Sequence, residues 1–200
     1  MVVSSEHGFL FWKQQSTILR GWALAELGQI DDGLNQMRAG LDGYKALDSW
    51  LASSWFTSLL ANAYSRAGQP DAALRVLDDA LAISKRTGET FFLAEIYRLQ
   101  GEITFSHGGP TALRDAEDCF NHALSVARQQ KALSWELRTG VSLARLWRDT
   151  GKREEAADLL RPIVGKFKEG FLTPNVREAV QLMNELTANS SRRSSTRRPG

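Results

Sequence analysis

The chain is poor in the residues that most often carry chemistry: one cysteine, three histidines and five prolines in 200 residues. A single thiol, Cys119, excludes an internal disulfide framework and fits a reducing compartment, which makes the cytoplasm the expected location. No run approaches the roughly 18 apolar residues that a bilayer span requires, and no membrane is expected among the partners. The opening Met-Val-Val-Ser-Ser-Glu-His lacks the basic and then apolar segments of a secretory signal. A phosphate-binding Gly-x-x-x-x-Gly-Lys-Ser/Thr loop is missing too. Gly151-Lys152-Arg153 has no leading glycine and follows a helical stretch, so it reads as a turn.

Catalytic and metal constellations are equally scarce. His7, His107 and His122 stand far apart, and none has a second ligand at metal spacing. Cys119 and His122, three residues apart, read as a buried thiol beside a half-exposed ring. The adjacent carboxylates Asp78-Asp79 and Glu154-Glu155 point different ways around a helix and read as solvated faces. No nucleophile has a base, so no catalytic residue, cofactor-binding residue or metal ligand is assigned, and no cofactor or enzymatic activity is expected.

What the chain does contain is regular. Hydrophobic residues make up 42% and charged residues 24%, a globular composition. The net charge of +2 includes Arg192, Arg193, Arg197 and Arg198 near the end; without these four the remainder carries −2. A near-neutral body with an arginine tail gives at most weak, salt-sensitive attraction to phosphate, and no specific nucleic-acid partner is expected. Four glycines, Gly28, Gly68, Gly108 and Gly151, each close a helical stretch at separations of 40, 40 and 43. Seven residues before them stand the small residues Gly21, Ala61, Gly101 and Ala144. After them come Gly33, Ala73, Ala116 and Ala156, then the large Met37, Leu77, Phe120 and Leu160, then Gly40, Ala80, Ala123 and Val164.

Apolar spacings of three and four mark helix faces, and small residues opposite large ones predict closely packed helix pairs. The first helices of the pairs are expected at about 9–27, 50–67, 91–107 and 133–150. The second helices are expected at about 30–47, 70–87, 111–130 and 153–168. Asp31, Asp71 and Thr111 are expected to cap second helices, and proline in Gln69-Pro70-Asp71 suits a first turn.

This pattern resembles the tetratricopeptide repeat, most fully in Gly101, Gly108, Ala116, Phe120 and Ala123. Thr17, Thr57, Tyr97 and Gly140 replace its usual tryptophan, and the closing proline is absent. The resemblance implies an all-α, right-handed α-solenoid of about four helix-turn-helix repeats, at 9–49, 50–90, 91–132 and 133–171, with a capping helix at 173–187. A flexible segment at 1–8 and a disordered Arg/Ser tail at 188–200 flank it. Residues 7–36, Ala94–Glu102, Ser142–Trp147, Leu159–Val164 and Phe167–Pro174 are similar to the C-terminal repeat region of bacterial signalling proteins. Those proteins join a class III adenylate cyclase or winged-helix domain to a P-loop ATPase.

The resemblance implies a non-catalytic protein-interaction or sensor module whose partner is a protein or peptide, including neighbouring catalytic domains of a parent chain. A free-standing scaffold binding an extended peptide in its concave groove is the other reading. Phe9-Leu10-Phe11-Trp12 cannot all face one side of a helix, so some are expected to be exposed. That favours a fragment of a longer chain and self-association through the first helix, unless residues 1–8 fold back. The groove is assigned to Trp22, Trp55, Asn62, Arg66, Glu95, Arg98, Glu102, Arg138, Arg145 and Arg148, with Gln15, Ile18, Ser58 and Val141 in the same register. Either its charges meet an acidic partner end or they pair with one another; both stand open at this point. The tryptophans other than Trp22 are expected to take core or inter-helix places.

Overall fold

The computed structural model describes residues 9–195, with side chains to residue 188. Helices, turns and loops account for all of the described residues. The first helices of the pairs are α1 (Leu10–Glu26), α3 (Ser53–Arg66), α5 (Leu93–His107) and α7 (Leu133–Asp149). Their partners are α2 (Ile30–Ala46), α4 (Pro70–Thr87), α6 (Ala112–Gln129) and α8 (Arg153–Val164). A last helix, α9 (Pro174–Ser195), closes the array.

The 40-residue period works through sterics. Gly28, Gly68, Gly108 and Gly151 all adopt positive φ, between 71° and 91°, where a side chain would be strained. The small positions let the helices of a pair meet backbone to backbone. A Cβ on Gly21 would lie 2.8 Å from the Gly33 carbonyl oxygen, and one on Gly101 would lie 2.7 Å from the Phe120 ring. Ala61, Ala73, Ala80, Ala116, Ala123, Ala144 and Ala156 are all fully buried at the equivalent places. First helices touch successive first helices, whereas each second helix packs on the following first helix and not on the next second helix. The stack therefore curves, with α1, α3, α5 and α7 on its inner face.

Several expected details change. Asp31 and Asp71 lie inside the first turns of α2 and α4 and make no cap hydrogen bond, so their contribution is to the helix dipole. Thr111 precedes α6, but its hydroxyl donates to Asp115 Oδ2 at 2.6 Å. Helices α3 and α5 start three and two residues later than the pattern suggests, because Trp50–Ser53 and Thr90–Leu93 form turns. Helix α8 stops at Val164 rather than 168; Pro162 in its last turn has no N–H to donate and Gly165 follows. Helix α9 buries Val176, Ala179, Leu182 and Leu186. It continues past 187, into the segment expected to lack structure, as far as Ser195. The expected flexible segment 1–8 lies outside the described residues.

Candidate concave groove

Residues of α1, α3, α5 and α7 that point away from the second helices form the groove. Its half nearest α9 is charged, and the charges are committed to one another. Arg98 donates from Nε and Nη2 to the two oxygens of Glu95 at 2.7 and 2.8 Å, a bidentate pair on one helix. Its Nη1 meets Glu102 and donates to Ser142 Oγ at 3.2 Å. From α7, Arg138 donates to Glu95 Oε1 at 2.6 Å, and Ser142 Oγ donates to Glu102 Oε1 at 2.7 Å. Glu95 and Arg98 are both buried. Burial works against the Arg98 charge, but Glu95 and Glu102 outweigh it and hold the guanidinium protonated well beyond its ordinary range.

The remaining arginines face α9. Arg145 pairs with Glu178; Arg148 donates to Asp149 at 2.7 Å and approaches Glu185 at 3.5 Å. A polar cavity of about 180 Å³ remains between Arg98, Glu102, Arg138, Ser142, Arg145 and Glu178. In the half of the groove nearest α1, Arg66 turns back on the C-terminal end of α1. Arg66 reaches Glu26 Oε2 and the Glu26 carbonyl oxygen, both at 3.3 Å. Asn62 and Gln15 are half-buried, while Ile18, Ser58 and Val141 are buried. Trp22 remains 38% exposed.

Trp55 takes a different part. Its ring stacks on Phe92 at 5.2 Å with an interplanar angle of 17°, and Phe92 meets the edge of Trp135 at 6.4 Å. In the other direction, contacts run from Trp55 to Phe56, Tyr44, Phe11 and Trp12, at centroid separations of 5.0–5.7 Å. One line of rings therefore crosses all four repeats. Sequence reasoning did not assemble it, although Trp12, Phe92 and Trp135 hold equivalent places in the repeat. Trp55 and Trp147 pack against core clusters, Trp50 and Trp135 are half-buried, and Trp12 is 57% exposed.

Cys119 and His122 do not form a reactive pair. The His122 ring lies 4.2 Å from Tyr97, and burial, with Asp118 and Asp115 nearby, pushes the Cys119 thiol up. Among the described residues no group of three His, Cys, Asp or Glu side chains stands close enough to hold a metal ion. No described helix is long and apolar enough to cross a membrane.

Family models described as tetratricopeptide repeat match residues 14–39, 57–87 and 137–162. No curated protein matches the sequence. A crystal structure of nearly identical TPR-like repeats from a Podosopora anserina kinesin light chain is 17% identical, with a TM-score of 0.69. That alignment covers 92% of this chain and 89% of the other. BtubC (BKLC) from P. vanneervenii is also 17% identical, with a TM-score of 0.61, over 96% and 94% of the two chains. At that identity the likeness is one of fold. Three segments match the tetratricopeptide repeat, and the fold is a TPR-like helical solenoid.

Proposed function

We propose that the chain is a non-catalytic interaction module that holds an extended segment of a partner protein on its concave face, in the half nearest α1. One observation carries this reading. The charges of the far half are satisfied by each other and by α9, whereas Trp22, at the repeat position of Glu102 and Arg145, is uncharged and 38% exposed. Desolvating a charge already paired in a network costs more than it returns, but covering a half-exposed indole is favourable.

Selection of a displayed random-peptide library on the immobilised chain tests this, followed by fluorescence polarisation with the selected peptide. Trp22→Ala is expected to weaken binding at least tenfold, about 1.4 kcal/mol. Arg145→Ala is expected to change binding by less than twofold. The reverse ranking would move the site to the charged half and overturn the assignment.

A second reading is a repeat region packed against the cyclase or ATPase domains of a longer signalling protein. It is favoured by the apolar start of α1, where Leu10 and Trp12 are 48% and 57% exposed.

A further inference from the structure

The start of α3 departs from the pattern of its repeat. Trp12, Phe92 and Trp135 hold one place in the first, third and fourth repeats, and Ala52 holds it in the second. Ala52 also takes φ 57° and ψ 16°, a left-handed conformation that a non-glycine residue keeps only where its surroundings hold it. Phe92, at the same place before α5, has φ −104° and no such strain. The second repeat supplies its ring three residues later instead, from Trp55, whose indole stacks on Phe92 at 5.2 Å.

Glu89 closes this irregular start from the other end of the same repeat, in the connection that leads to α5. It is half-buried, and both of its oxygens are engaged. One accepts from the Ala52 N–H at 2.7 Å, and the other accepts from Ser54 Oγ at 2.5 Å. The Glu89 carbonyl accepts from the Ser84 hydroxyl at 2.6 Å, which fixes the residue on the end of α4. A carboxylate at the N-terminal end of α3 also meets the favourable end of the helix dipole. Ser49 and Ala132 hold the equivalent place in the first and third repeats, where Trp12 and Phe92 keep the aromatic start. The carboxylate therefore stands in the repeat whose start is irregular. It fixes where α3 begins, and so the direction in which Trp55 leaves the helix. Trp55 packs with Ile18 of α1 in one apolar cluster, and Ile18 lies one turn before Trp22.

We infer that Glu89 is a positioning residue for the concave face. It holds Trp55 against Phe92 and through that ring sets the shape of the half nearest α1, while touching no partner itself. The inference rests on the concave-face reading above. Labelling the full chain with fluorotryptophan gives one fluorine resonance per indole, and Trp55→Phe identifies that of Trp55. Glu89→Ala is expected to shift or broaden the Trp55 resonance and to leave that of Trp147 in place. It is also expected to weaken the peptide selected on the immobilised chain at least fivefold.

Glu89→Gln can still accept from the Ala52 N–H and donate to Ser54 Oγ. It is expected to keep the resonance in place and binding within twofold of the unsubstituted chain. Ser54→Ala removes one of the two bonds without touching Glu89, and is expected to move the Trp55 resonance in the same direction as Glu89→Ala. Circular dichroism should show all three variants folded. A Trp55 resonance unmoved by both Glu89→Ala and Ser54→Ala would overturn the inference, as would a moved resonance with unchanged peptide binding. Equal losses in Glu89→Gln and Glu89→Ala would also overturn it, since the charge rather than the two bonds would then be responsible. If no selected peptide responds to Trp22→Ala, the concave-face reading falls and the role of Glu89 at that site falls with it. The resonance comparison, which needs no peptide, tells that failure apart from a failure of the clamp.

Discussion

Thr139 is fully buried on α7, and its Oγ1 meets no donor or acceptor. Thr17 and Thr87, also helical, return their hydroxyls to the preceding turn, donating to the Lys13 and Ile83 carbonyls at 2.8 and 2.9 Å. Thr139 occupies the repeat position of Phe56 and Ile96, both fully buried, so the place is apolar by design of the fold. A buried hydroxyl without a partner carries a desolvation cost that an isosteric methyl removes. Thr139→Val is expected to raise stability by about 1 kcal/mol. Urea unfolding should show a higher midpoint at unchanged slope. A lower midpoint would mean that the hydroxyl finds a partner in solution.

At the scale of elements, Glu136 ties three of them together. It sits buried in the first turn of α7 and accepts from Arg128 Nε on α6 at 3.0 Å. It also accepts from Lys166 Nζ, in the loop after α8, at 2.7 and 2.9 Å. Burial alone would raise its pKa, but the hydrogen bonds from Lys166 and Arg128 prevail and hold it below the usual carboxylate range. A carboxylate whose pKa is depressed by folding stabilises fully above its unfolded value. That contribution is lost as pH falls through the depressed one. Because both cations are about half-exposed, screening keeps the effect moderate. Glu136→Gln is expected to cost roughly 1–2 kcal/mol at pH 7. The gap between the two proteins should narrow as pH falls below 4. Chemical denaturation at pH 7 and in that acid range checks it, and a gap independent of pH would remove the ion pairs as its cause.

The same elements show what sequence could and could not give. Helix pairs were legible because turn glycines and facing small residues are local demands of sterics, repeated every 40 residues. The starts of α3 and α5 were not, since a turn at Trp50–Ser53 and a helical first turn ask for similar residues. In the groove, the period put Glu95, Arg98, Glu102 and Arg138 in one register. It left open whether they pair, because that depends on the separation of α5 from α7 at residues more than forty apart in sequence.

At the scale of the molecule, the core of the described residues is a row of four clusters rather than one centre. It runs from Ile18, Tyr44 and Phe56 at one end to the group that joins α6, α7, α8 and α9 at the other. In such an array each repeat is supported by its neighbours alone, so the two ends differ in kind. At one end α9 covers α7 and α8 with Val176, Ala179, Leu182 and Leu186, leaving a polar outer face. At the other, Phe11 packs on Tyr44, but Leu10 and Trp12 on the same helical turn face outward. Exposed indole and isobutyl groups on the first turn of α1 offer apolar surface to another protein element, whether a neighbouring domain or a second copy. Light scattering over a concentration series is therefore expected to show mass rising with concentration. The double substitution Leu10→Ser and Trp12→Ser should return the chain to monomer mass without unfolding it, since both side chains already lie outside the core. A monomer mass at every concentration for the unsubstituted chain would mean that this end does not serve as a packing surface between copies. The concave face would then be the better-supported contact of the first repeat.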